Sequence, residues 1–119
     1  MRSVPFTISS LYAGLGQCHG IVYDEGDYLR FEYQLKDSIS GMIRSGVKQV
    51  RIPVQQIISV DLVKGWLGSI RAGVKIVLQG ASLDSLKDLP GMSQGKIELC
   101  VSKANSSLAM EFVEGLHSV

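Results

Sequence analysis

From Tyr28 to Leu35 the chain alternates without a fault: Leu29, Phe31, Tyr33 and Leu35 fall on one face, and Tyr28, Arg30, Glu32 and Gln34 on the other. A period of two is that of a β-strand with one face buried and one wet. The acidic stretch Asp24-Glu25-Gly26-Asp27 precedes it, and Asp and Gly accept the dihedrals of a tight turn. His19–Tyr23 before that turn reads as a second strand, so the two make a hairpin.

Similar segments recur. Lys48–Ile52 resumes the alternation, with Val50 and Ile52 inward and Pro53 as its stop. Gln56–Val63 places Ile58, Val60 and Leu62 on one face and Ser59 and Asp61 on the other. Ile70–Leu78 turns Val74, Ile76 and Leu78 inward, and Lys96–Val101 does the same with Ile97, Leu99 and Val101. Val4–Ile8 reads as a short edge strand, because Pro5 cannot donate to a ladder on both sides and is tolerated at an edge. Turn residues separate these segments at short, even intervals, which suits many short strands better than a helical bundle.

Two segments break the pattern. In the excursion 79–95, Leu83, Leu86 and Leu89 at three-residue spacing predict a short helical turn stopped by Pro90 and Gly91. The chain then closes with a helix over about Ala104–His117. There Leu108, Ala109, Phe112, Val113 and Leu116 form one apolar stripe, and Asn105 or the serines after it can cap the free N–H groups.

With 119 residues and no internal repeat, linker or low-complexity tract, the chain parses as one domain, 1–119. A chain of this size buries roughly two thirds of its unfolded surface and needs neither metal nor disulfide to fold. Twelve Lys and Arg stand against eleven Asp and Glu. That balance gives no basic excess of the kind nucleic acid attracts, so no nucleic-acid partner is expected. The N-terminal residues lack a signal-peptide core, no window is long enough to span a bilayer, and a cytoplasmic protein is the expectation. Cys18 and Cys100 are then expected as two free thiols, with one long-range bridge as the alternative.

The chemistry-bearing motifs are thin. Gly14-Leu15-Gly16-Gln17-Cys18-His19 begins like a dinucleotide fingerprint but lacks the third glycine and the surrounding βαβ unit. Cys18, His19, Cys100 and His117 are too scattered in sequence to promise the three or four convergent ligands of a zinc site. No Ser or Cys stands in a nucleophile elbow, and the three carboxylates near Asp24 read as a solvated turn. No cofactor, no metal and no catalytic residue is therefore expected.

The basic residues say more. Lys36, Arg44, Lys48 and Arg51 face a single acid, Asp37, and Lys64, Arg71 and Lys75 face none. Should these two segments meet, Lys48, Arg51, Lys64 and Arg71 make a basic surface, with Trp66 as an indole suited to a half-wet boundary.

Six or seven short antiparallel strands and one amphipathic C-terminal helix make an order that resembles the pleckstrin-homology-like (PH/GRAM-like) superfamily. Asp27-Tyr28-Leu29-Arg30-Phe31-Glu32 and Val50-Arg51-Ile52-Pro53-Val54-Gln55-Gln56-Ile57-Ile58-Ser59-Val60 carry the resemblance, with Ala109–Leu116 as the capping helix. That helix has no tryptophan; Phe112 takes the place, which is the pattern of a bacterial-type member. The resemblance implies a PH-like β-barrel or sandwich of about seven strands. It also implies an inositol-lipid site around the first hairpin loop, but here that loop carries Asp24, Glu25 and Asp27, which repel phosphate.

The expected function is a non-catalytic binding module acting through protein–protein contacts or homo-oligomeric assembly, because exposed strand edges invite another strand. A peripheral membrane or anionic-ligand surface built on Lys48, Arg51, Lys64, Trp66 and Arg71 is the alternative. A small enzyme is the third reading, and it requires a pocket where His19 meets an acid or a thiol.

Overall fold

The structure, a computed structural model, describes residues 2–11, 16–37, 46–64, 73–90 and 92–117. Seven antiparallel strands and one C-terminal helix follow in order: β1 (Arg2–Leu11), β2 (Gly16–Asp24), β3 (Tyr28–Asp37), β4 (Lys48–Pro53), β5 (Ile57–Lys64), β6 (Val74–Gly80), β7 (Lys96–Val101) and α1 (Ser106–His117). The sheet runs β4-β3-β2-β1-β7-β6-β5. It consists of two meanders, β1–β4 and β5–β7, joined where Thr7 of β1 meets Cys100 of β7.

The two outermost strands, β4 and β5, are consecutive in the chain and joined by the 3₁₀ turn Val54–Gln56. In a flat sheet of seven strands the edges would lie about 29 Å apart, six spacings of ~4.8 Å. The link from Pro53 to Ile57 reaches at most ~14 Å. The sheet must therefore roll until its edges approach each other. The rolled interior holds inward residues anticipated from the alternation, Leu29, Phe31, Ile52, Ile76, Leu78, Ile97 and Leu99, and with them Val4, Phe6 and Val22, for which no face was read. Phe6 meets Phe31 edge-on, with ring centroids 6.2 Å apart.

Helix α1 packs on β1, β5 and β6 and buries Ala109, Phe112, Val113 and Leu116. Leu108, expected in the same stripe, sits in the first turn and stays exposed. The helix begins at Ser106, after a 3₁₀ turn over Lys103–Asn105. Asn105 spends its side-chain N–H on Ser102 Oγ (3.1 Å), and the Ser106 hydroxyl donates to Lys103 O (2.8 Å).

Two expectations are corrected. β1 is a ten-residue central strand and not a short edge. Pro5 is tolerated because β7 ends at Val101, and the register that pairs Thr7 with Cys100 leaves no strand residue opposite Pro5 on that side. Ile58 does not share the inward face of Val60 and Leu62. The β5–β6 register shifts between Ile57 and Ser59, and this bulge leaves Ile58 62% exposed.

The excursion after β6 is a compact series of turns with backbone bonds Ser85 N–H to Ser82 O, Lys87 N–H to Asp84 O and Leu89 N–H to Leu86 O. It plugs the core with Leu86 and Leu89, while Leu83, the third of the spaced leucines, is 69% exposed. Gly91 lies outside the described residues. Leu86→Ala should cost about 2–5 kcal/mol in chemical denaturation and Leu83→Ala less than about 0.5, the former through a cavity that cannot collapse.

Candidate functional site

β5 is an edge strand, and its backbone direction is fixed by one contact. His117 Nε2 of α1 donates to the carbonyl of Val60 at 2.5 Å. A carbonyl only accepts, so Nε2 carries the hydrogen. Because Val60 O is bound by the helix, the amide and carbonyl of Val60, and those of Leu62 two residues on, point away from β6. Between this edge and the end of α1 runs a groove of about 270 Å³ lined by Val54, Ile57, Ile58, Val60 and Leu116 and by the polar Ser59, Asp61 and His117. Ile58 and Val63, at 62% and 47% exposure, leave apolar surface beside it. The groove is thus of mixed polarity, bounded by a strand edge on one side and a helix end on the other.

The sequence signalled each ingredient but not their meeting. His117 reads only as a residue favoured by the helix dipole. The doubled Ile57-Ile58, which breaks strict alternation, was the visible sign of the bulge.

Of the five residues expected to form a basic surface, two have described side chains, Lys48 and Arg51, and these do not share a face. Lys48 and Arg51 are both exposed on β4, but Lys48 pairs with inward-facing Tyr33 and Arg51 with outward-facing Arg30, so they project from opposite faces. The Arg51 guanidinium lies 5.3 Å from the centre of the Tyr28 ring. Trp66 and Arg71 lie outside the described residues, as does the side chain of Lys64. Lys75 pairs with Glu98 at 3.5 Å.

The acidic turn is held by its own charges. Gly26, at φ 92°, takes a conformation that side chains resist, and its N–H bonds Asp24 Oδ1 at 3.0 Å. Arg30 lies 4.1 Å from the Tyr23 ring centre and bonds Glu25 at 2.9 Å and also Glu32. One guanidinium thus fixes the loop and offsets two of the carboxylates around it.

A second recess, about 230 Å³, opens where β7 ends. Pro5, Thr7, His19, Cys100, Ser102 and Asn105 line it. His19 and Cys100 flank Thr7 on the outer face, two strand spacings or about 10 Å apart at the backbone. His19 Nε2 bonds Gln17 Oε1 at 3.0 Å rather than a thiol or an acid. Cys18 points inward and Cys100 outward, so the two thiols stand on opposite faces of the sheet and both are free. Gly16–His19, the tail of the glycine motif, is part of β2 and opens no helix. Among the described residues no group of three or more His, Cys, Asp or Glu could hold a metal ion, and no helix is long and apolar enough to cross a membrane.

No family model matches the chain, and neither the curated proteins nor the solved structures give a match.

Burial pushes the Cys18 thiol from 9.0 up to about 12. The folded state keeps this proton where the unfolded state loses it, so its contribution is complete below pH 9 and disappears as the pH rises towards 12. Thiol titration with a disulfide reagent should label Cys100 in the native protein and Cys18 only after unfolding. Burial, then the charge of Lys36, holds His19 below its usual 6.5. The unfolded chain therefore takes up this proton first, so the contribution is present above pH 6.5 and is lost as the pH falls through the folded value. Lys36→Met should raise the His19 titration midpoint seen by NMR.

Proposed function

We propose that the chain is a non-catalytic, PH-like binding module that assembles with a second copy of itself along the edge of β5. The strand order, the rolled sheet and the helix at its end support the PH-like reading. The observation that carries the function is the edge of β5, which no described strand pairs, which carries exposed Ile58 and Val63 and which is bordered by the groove against α1. An edge of this kind is a template for a further strand.

The edge also matches itself. A two-fold antiparallel pairing centred on Val60 sets Ser59 of one copy opposite Asp61 of the other on the outer face. The Ser59 hydroxyl then has a carboxylate to donate to, twice over, as an isologous contact requires. The other edge suits a partner less: β4 carries Lys48 and Arg51 and ends in Pro53, which offers no amide.

Light scattering at two well-separated protein concentrations tests this reading. The wild type should shift from monomer towards dimer. Ile58→Asp, at a site exposed enough to leave the fold unchanged, should stay monomeric at both. A wild type that is monomeric at both concentrations overturns self-assembly as its native role.

A further inference from the structure

The self-pairing that suits β5 best needs the one backbone group that the fold already occupies. In a pairing centred on Val60, the two Val60 residues exchange both of their outward backbone bonds. The Val60 carbonyl is instead taken by His117, from a helix 57 positions further along the chain. The imidazole lies across the middle of the edge, and the bulge at Ile58 kinks the strand just before it. A bulge and a covering side chain are two devices by which natural sheets blunt an exposed edge. Both fall on the first half of β5, leaving Leu62 and Lys64 as outward backbone positions covered by neither.

We infer that His117 is a latch: its bond to Val60 O is an autoinhibitory contact that an incoming β5 strand must displace. The inference rests on the strand-addition reading above and names the contact that regulates it. His117 is a positioning residue here, acting only by occupying the edge. The bond forms with neutral imidazole protonated at Nε2 and with imidazolium alike, since each donates from Nε2. The latch is released by competition for the carbonyl. A competitor that brings an N–H to Val60 O replaces one hydrogen bond by another, so the barrier is modest and reversible.

Sedimentation equilibrium of three variants tests it. His117→Ala frees the carbonyl and should tighten the dimer dissociation constant by about fivefold to tenfold, the size of one net hydrogen bond. His117→Gln, which keeps a donor at similar reach, should stay close to wild type. His117→Ala combined with Ile58→Asp should return to monomer. A His117→Ala protein with the wild-type dissociation constant overturns the latch while leaving the dimer standing. Tightening that survives Ile58→Asp also overturns it, since the association then runs through another surface. Should the wild type be monomeric while His117→Ala dimerises and Ile58→Asp cancels it, the latch stands and self-assembly is what it prevents. Should neither form dimerise, both the latch and the assembly reading fall.

Discussion

Three residues, Val54–Gln56, tie together the two strands that lie farthest apart in the sheet order. Much else follows from that tether. It bends a seven-stranded sheet round on itself, and the bend gives the chain an interior in which one face of each strand can be hidden. It also leaves openings that backbone pairing alone does not fill. Helix α1 covers one through Ala109, Phe112, Val113 and Leu116, and the turn series after β6 fills more of the interior with Leu86 and Leu89. Helix and loop are thus consequences of how the sheet curls, and their apolar residues complete a core that the strands only outline.

The same curl sets where the molecule can be approached. Because the sheet is rolled but two of its strands remain outermost, the fold retains edges, and it treats the two differently. β4 is short, carries Lys48 and Arg51 on opposite faces and ends in Pro53. β5 shows Ile58 and Val63 beside exposed Asp61, and it carries the bulge at Ile58 and the bond from the imidazole of His117. A charged edge repels any strand that comes near. A covered edge repels only those that cannot displace the cover, and so keeps selectivity in reserve.

The sequence made much of this legible, and the limits have a physical pattern. β3 was readable to the residue at its start, since period-two alternation is a local signal that a half-buried strand writes directly. β7 and the apolar side of α1 were readable for the same reason. What failed depended on partners distant in sequence. Pro5 suggested an edge, because nothing local reveals that β7 stops one residue beyond Cys100. Ile58 fitted the inward set until the register with β6 slipped beside it. His117 carried no trace of Val60. Lys48 and Arg51 were assigned to one surface, but three positions along a strand reverse the face. The groove was legible only as parts, a strand and a helix, because its position depends on how the sheet rolls.

The junction at Thr7 and Cys100 has a kinetic side. Within each meander every strand pairs with its immediate neighbour in the chain, so those pairings close loops far shorter than the span between the meanders and can form earlier. Joining the meanders brings together residues 93 positions apart, with little return until α1 also docks. Loop-closure entropy makes such a step late and slow. Before it happens, the β1 side of one half and the β7 side of the other are open edges of equal reach to the same partners on a neighbouring chain. An exchange of halves between two molecules would satisfy the same pairings, so the route to the native fold of one chain depends on local concentration as well as on the stability of the finished fold.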